Sequence, residues 1–387
     1  MAAQNHFGRR IDEPPKSGLS RTPPIDDNSE STIAMTRKHF LHSLVLAALC
    51  PVTAAVADEK TGLLDVYWVD VEGGAATLIV TPAGESVLID SGNPGVRDPE
   101  RIHKTATAVA GRKQIDHLIT THFHIDHFGG AAELSQKLPI IHIWDNGVPD
   151  QNPDGNPSDT RFPIMIKPYK EIAAKQRHVI TPDAELPLKQ AGGTPLTIRC
   201  LAAMEKFTDK VVREKSPVDC ASVPAKDKDG SDNRNSVALL ISYGDFRFFV
   251  GGDMTWNTEA GLVCPADRVG GVDVYQVTHH GMDTSNHPLV VRTLAPTVSV
   301  MSNGTTKGCG PETFATLKGT PSVQAMYQVH KNLREDGHHN TADELIANHA
   351  KECAGHHVQM NVAADGKSYT LGIPASGHSR KFETKAK

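Results

Sequence analysis

Residues 121–130 constrain this chain more tightly than any other stretch. His122, His124, Asp126 and His127 stand within six residues, in an H-x-H-x-D-H pattern. The hydrophobic run at 115–120 just before them reads as a short strand. Side chains on an extended backbone alternate, so His122 and His124 point the same way. Asp126 and His127 fall where the chain turns into a helix beginning near Gly129. The pattern therefore offers two imidazoles to one metal ion, and a carboxylate with an imidazole to a second ion nearby. Neutral imidazole and carboxylate are ligands that zinc accepts in hydrolytic sites. Histidines also cluster on solvated loops, but a buried strand leading into this spacing argues for ligands.

Three further segments end hydrophobic runs with polar residues. Residues 87–92 lead into Asp90, residues 248–253 end Gly251-Gly252-Asp253, and residues 274–281 end His279-His280-Gly281. Each is weak alone. In this order, and each on a strand end, the four resemble the metallo-β-lactamase superfamily over residues 64–325. The resemblance implies an α/β fold, an αββα four-layer sandwich, and a centre of two Zn²⁺ ions. In it His122 and His124 hold the first ion, and Asp126 and His127 the second. Asp253 bridges them, and His279 or His280 completes the second site, with His279 favoured because it directly follows the strand. Asp126 and Asp253 are the catalytic carboxylates, and Asp90 holds the metal loop from beneath. A metal-bound hydroxide, formed because the ion lowers the pKa of water towards about 7, would be the nucleophile. One departure stands out. Many members carry a further histidine between the metal loop and the bridging aspartate, and here only His142 and His178 lie in that interval. The first site is then short of a protein ligand.

Within the superfamily the chain is most similar to the metallo domain of ComEC-type proteins. That likeness rests on residues 69–76, 232–240 and 243–246, His279 to Gly281, and His287-Pro288. It implies that Asn233 or Asn235 lines the site, and His330 is a further candidate substrate contact. DNA transport does not carry over, since no set of apolar spans able to form a channel is present.

The 387 residues, 39% of them hydrophobic, suffice for one large domain, expected over 58–387. Residues 1–34 are polar and Pro-rich and read as a disordered extension preceding the true start at Met35. Residues 35–57 have a basic start, an apolar middle and Ala55-Val56-Ala57, as in a secretory signal cleaved after Ala57. His42, Ser43 and Pro51 interrupt the apolar run, so a stable membrane span is not expected. The chain is accordingly expected in the periplasm or outside the cell. Residues 58–387 carry 34 Lys/Arg and 40 Asp/Glu, a formal net of −6. That disfavours long nucleic acid as a partner and favours a small-molecule or cell-envelope substrate. Five cysteines fall there, Cys200, Cys220, Cys264, Cys309 and Cys353, without C-x-x-C spacing. One or two disulfides and at least one free thiol are expected in an oxidising compartment.

Helical spacing is read at 98–110, 164–176 and 341–348, the last with Thr341 and Glu344 as a capping pair. Residues 146–162 and 205–234 read as long polar insertions, and strands at 357–363 and 368–373 close the chain. The function expected is a secreted metal-dependent hydrolase. A phosphodiester or related phosphorylated substrate comes first, and lactone or lactam hydrolysis second. An iron-dependent oxygenase or redox protein and a non-catalytic metal-binding module are the alternatives of other classes.

Overall fold

The computed structural model describes residues 57–386 except 157, 337 and 338. The expected extension 1–34, and all but the last residue of the expected signal 35–57, lie outside the described residues. Two mixed sheets form the frame. In spatial order the first runs His378–Glu383, Ser368–Ile373, Val358–Val362, Leu64–Trp68, Thr77–Val80, Ser86–Ile89, Ile115–Ile119, Ile140–Asp145, Gln176–Val179. The second runs Ile346–Asn348, Ala325–His330, Val298–Met301, Val274–Gln276, Phe246–Val250, Ala238–Tyr243, Leu196–Ala203, Lys206–Phe207.

Alternation along the strands sorts side chains into three apolar layers. Leu64, Val66 and Trp68 point inward and meet Phe248, Val274 and Val300 of the facing sheet. The Trp68 and Phe248 rings meet edge to face, 5.5 Å between centroids. Trp68 Nε1 also donates to Gln276 Oε1 at 2.8 Å, so the indole N–H keeps a partner between the sheets. On the outer face of the first sheet, Leu78, Leu88 and Leu118 pack with Ile102, Leu134 and Phe162 of the helical segments Arg97–Lys104, Ala131–Ser135 and Phe162–Lys170. On the outer face of the second, Leu240, Phe249 and Tyr275 pack with Leu289, Val291, Leu294 and Leu317 of Pro288–Leu294 and Pro311–Lys318. Helix, sheet, sheet, helix is the αββα arrangement expected from sequence.

Parallel pairing positions the site. Ser86–Ile89, Ile115–Ile119 and Ile140–Asp145 run parallel in one sheet. Phe246–Val250, Val274–Gln276, Val298–Met301 and Ala325–His330 run parallel in the other. Their carboxyl ends lead into Asp90, the 121–127 loop, Asp253, the His279-His280 pair and His330. Parallel strands leave their connecting loops at one end of the sheet, so residues far apart in sequence converge there.

Three local expectations are corrected. The helix expected at 164–176 is Phe162–Lys170, with Pro163 in its first turn, and Gln176 already opens an edge strand. The helix expected at 341–348 is a single 3₁₀ turn, Asp343–Leu345, followed by the strand Ile346–Asn348. Pairing with Ala325–His330, and the Asn348 side-chain amide donating to the Val329 and His356 carbonyls, outweigh the capping signal. A third strand, His378–Glu383, follows the two expected to close the chain. Only Phe382 in it is buried, so it carries no alternating apolar signal.

Candidate metal centre

Asp253 stands at the middle of the cluster. It follows Gly252, whose backbone is left-handed (φ +56°) and where a Cβ would lie 2.9 Å from Thr121 Cβ, so only glycine suits that turn. The turn aims Asp253 Oδ2 into a ring of imidazoles. His127 Nε2 and His280 Nε2 lie at 3.2 Å, His279 Nε2 at 3.6 Å and His122 Nε2 at 4.0 Å. Asp126 Oδ2 lies 3.5 Å from both His127 Nε2 and His280 Nε2. Two overlapping triads therefore have metal-ligand spacing: His122, His127 and Asp253, and Asp126, His127 and His280.

The rings are turned so that their Nε2 lone pairs face the centre. The Asp90 carboxylate accepts the Thr121 N–H and Oγ–H, each at 2.8 Å, and faces His127 Nδ1 at 2.8 Å. His122 Nδ1 lies 3.1 Å from Thr121 Oγ1, and His280 Nδ1 faces the Ser302 carbonyl at 2.9 Å. His279 Nδ1 meets Ser285 Oγ at 3.0 Å. Each outer nitrogen thus has a fixed partner, the arrangement that orients metal-binding histidines. Asp90 itself has a left-handed backbone (φ 62°), as do His279 and His280 (φ 53° and 55°). Strain of this kind persists only where the surroundings impose it.

The residues present fit a divalent ion. His122 is fully buried, and its Nε2 has no hydrogen-bond partner. A buried polar nitrogen left without a partner is costly, and a metal ion is the partner its orientation suits. Burial, and then the neighbouring His127, push the His122 imidazole well below its usual pKa, which keeps it in the neutral ligating form. Burial raises the Asp253 carboxyl, but His127, His280 and His279 overcome that and hold it well below the usual range. Asp253 is therefore an anion at the point where four imidazoles converge.

The residues expected from sequence divide. His122, Asp126, His127, Asp253 and His280 are brought together, with Asp90 beneath His127. His280 stands nearer the second triad than His279 does, against the preference for the residue directly after the strand. Two consecutive left-handed residues turn the chain sharply after the strand, so adjacency to the strand does not decide which ring reaches the triad. His279 flanks Asp253 on the other side, with its Nε2 3.4 Å from Asn233 Nδ2. His124 turns outward and pairs with Asp154 at 2.8 Å. Asn235 supports the turn instead of facing the cluster, donating to Asp232 Oδ1 at 2.9 Å. His330 groups with Asp70, Glu72 and Cys353. His142 and His178 face each other at 3.3 Å beside the strand end at Trp144.

Two residues escaped sequence reasoning. Lys307 Nζ reaches Asp126 Oδ2 at 2.5 Å. Asp154, in the first polar insertion, meets His124 and accepts the Asp232 N–H at 2.8 Å. Neither has a spacing signature. Their only signal is position in loops near parallel strand ends, where binding residues concentrate.

A cleft of about 710 Å³ opens beside His279 and Asn233. Its wall includes Lys226, Asp227, Lys228, Asp229, Trp256 and Met282. Lys226 Nζ lies 3.8 Å from the centre of the Trp256 ring and pairs with Glu312 at 2.6 Å. The Cys220–Cys264 disulfide ties the polar insertion that carries Lys226 and Lys228 to the segment after Trp256–Ala260. Cys200, Cys309 and Cys353 are free.

The geometry separates the adjacent histidines experimentally. His280→Ala is expected to lower bound metal by about one equivalent, since His280 belongs to a triad. His279→Ala is expected to keep the metal count and to raise KM, because its ring borders the cleft. Metal analysis of the two purified variants decides it, and an unchanged count in His280→Ala would refute the triad.

Solved structures resemble parts of the chain. A metallo-beta-lactamase from Cronobacter sakazakii aligns at 14% identity over 54% of this chain and 75% of its own, with a TM-score of 0.35. A subclass B3 metallo-beta-lactamase from a soil metagenome library aligns at 13% identity over 71% and 77%, TM-score 0.30. CmlA, a diiron beta-hydroxylase from Streptomyces venezuelae, aligns at 16% identity over 62% and 44%, TM-score 0.34. Residues 69–184 match the family model of the metallo-beta-lactamase superfamily, and that segment contains Asp90 and the whole H-x-H-x-D-H loop. Two mixed sheets flanked by helices, with buried His/Asp triads at the strand ends, make the fold that of the metallo-β-lactamases, and the segment 69–184 is the part of the chain that matches the superfamily's model.

Proposed function

We propose that this chain is an exported metal-dependent hydrolase that holds two zinc-class ions and acts on a compact phosphodiester or related phosphorylated substrate. The observation that carries the hydrolase reading is Asp253 Oδ2 amid four imidazoles, beside the unpartnered buried Nε2 of His122. His122, His127 and Asp253 would hold one ion, and Asp126, His127 or Asp253, and His280 the other. His124 would join the first by leaving Asp154. Such ions, when bound, supply Lewis acidity and lower the pKa of water.

The protein's own groups do the rest. Asp90 and the Ser302 carbonyl hold the His127 and His280 rings in place, so the ligand atoms need no reorganisation during turnover. Lys307 places an ammonium beside Asp126, available to an anionic substrate oxygen once that carboxylate is engaged by metal. His279 and Asn233 connect the centre to the cleft, and Asn233 Oδ1 is buried without a partner, an acceptor that suits a substrate hydroxyl or amide. Lys226 and Lys228 alternate with Asp227 and Asp229 along the wall. That mixture suits a small phosphoester better than a polyanion, which needs a continuous basic track. Asn233 beside His279 also supports the ComEC-like reading of the subgroup. Export is supported by the leader-like residues 35–57 and by the Cys220–Cys264 disulfide, since such bonds persist in oxidising compartments. Among the described residues no helix is long and apolar enough to cross a membrane.

The test is a substrate panel on the zinc-loaded full chain: an aryl phosphodiester, an aryl phosphomonoester, a lactone and a lactam. The diester is expected to have the highest kcat/KM, with activity lost to a chelator and restored by zinc. Faster lactone or lactam turnover would move the substrate to a strained carbonyl and leave the hydrolase reading standing. Activity towards none of the four with metal bound would reject it.

A further inference from the structure

We propose that Asp70, Glu72, His330 and Cys353 form a separate site for one zinc-like divalent ion, structural rather than catalytic. It shares no residue with the centre described above and does not depend on the proposed activity. The four side chains come from distant parts of the chain. Asp70 and Glu72 follow the strand Leu64–Trp68 of the first sheet, His330 ends Ala325–His330 of the second, and Cys353 follows Ile346–Asn348. Their ligand atoms nevertheless lie within 4.8 Å of one another.

The observation that points to a ligand is His330. The residue is fully buried, and its Nε2 has no hydrogen-bond partner. Its Nδ1 faces the Lys331 carbonyl at 3.3 Å, which leaves Nε2 as the nitrogen free to ligate. A buried imidazole nitrogen left empty beside two carboxylates and a thiol lacks an electrophile. Cys353 Sγ is 3.1 Å from Asp70 Oδ2, a thiol donating to a carboxylate where both could ligate one ion. An N, O, S set of four is a zinc set, and four protein ligands with no open position mark a structural site. Ligand atoms of a tetrahedral zinc lie roughly 3.3–3.8 Å apart, given its bond lengths. Side-chain shifts of about 1 Å would close the cluster.

The charges agree. Asp70, Glu72 and a Cys353 thiolate bring three negative charges. The resident cation is Arg101, which donates to Asp70 Oδ2 at 2.9 Å and approaches Glu72 Oε1 and Cys353 Sγ, each at 3.5 Å. A divalent ion, with the thiol proton released to solvent, brings the cluster to neutrality while Arg101 stays as an outer partner of the ligands. Glu72 and Cys353 are partly exposed, which leaves the ion a way in. Bound there, it would fasten the first sheet to the second at the end that carries the metal centre.

Cobalt(II) is a probe specific to this site, because the other centre contains no sulfur. The full chain titrated with cobalt is expected to develop a thiolate-to-cobalt charge-transfer band in the near ultraviolet that saturates at one equivalent. The band should persist in a His122→Ala/Asp253→Ala chain, in which the other centre is dismantled. It should vanish in Cys353→Ser, which keeps its hydrolytic activity, and Glu72→Gln should weaken cobalt binding at the band by about tenfold or more. No band in wild-type protein that has bound cobalt would overturn the site and leave an ion-pair network around Arg101. A band undiminished in Cys353→Ser would overturn it too, since the sulfur would then come from another cysteine of the chain. Because the wild-type spectrum alone can refute the site, a folding defect in either variant does not protect it.

Discussion

Asp253→Ala is expected to cost hydrolysis on the order of 10²-fold or more, with far-ultraviolet circular dichroism unchanged. Loss of a residue that merely orients a ligand already weakens metal binding by roughly 10–100-fold. Asp253 Oδ2 lies within 4.0 Å of four imidazole nitrogens, so its loss acts on both triads at once. Bound metal should therefore fall together with kcat, and added zinc should restore only part of the rate. Asp253→Asn makes a sharper comparison. It keeps the volume and the backbone N–H donated to Ser236 Oγ at 3.1 Å, but removes the charge. Full activity in a folded Asp253→Asn chain would sink the shared-ligand role.

The second large effect is on stability. The Cys220–Cys264 disulfide closes a span of 44 residues. On the chain-entropy account such a closure stabilises the folded state by up to about 4 kcal/mol. The Cys220→Ser/Cys264→Ser chain should unfold at distinctly lower urea, and reductant should shift the wild type but not the variant. The cleft-lining residues 225–229 begin five positions after Cys220, so KM is expected to rise more than kcat falls. Identical urea midpoints for the two chains would mean that the segment is held by its other contacts, among them the Trp256 indole N–H donating to the Pro224 carbonyl at 3.1 Å.

What could be read in the sequence, and what could not, follows from the range of the interactions. Asp90 and Asp253 follow strand ends closely, and Asp126 and His127 lie in the turn that a strand leads into, where a hydrophobic run and its terminus are visible locally. The layer order follows from the same runs. The His279-His280 pair could be located but not resolved, because its left-handed backbone arises from packing against Gly252 and Ser302, not from its own residue types. The outward turn of His124 depends on Asp154, 30 residues away in a segment that reads as loop. Lys307 is 181 residues from Asp126. The strand Ile346–Asn348 was hidden by a capping pattern that is favourable locally and loses to sheet pairing. Pattern reading sees alternation and turn chemistry. It does not see which distant loop will supply a counter-charge.

The triads draw on residues 122–127 from the first half of the chain and on Asp253 and His280 from the second. Neither half holds a complete set. A ribosome releases the chain from one end, so nearly two thirds of it must emerge before any triad can close. Until then the exposed H-x-H-x-D-H loop is an unselective chelator, open to whichever first-row ion binds imidazole most tightly. On the metal-dependent reading, metal identity would be decided where folding finishes, not where translation begins. If the chain crosses a membrane unfolded, the ion found in the mature protein records the metal pool of its destination.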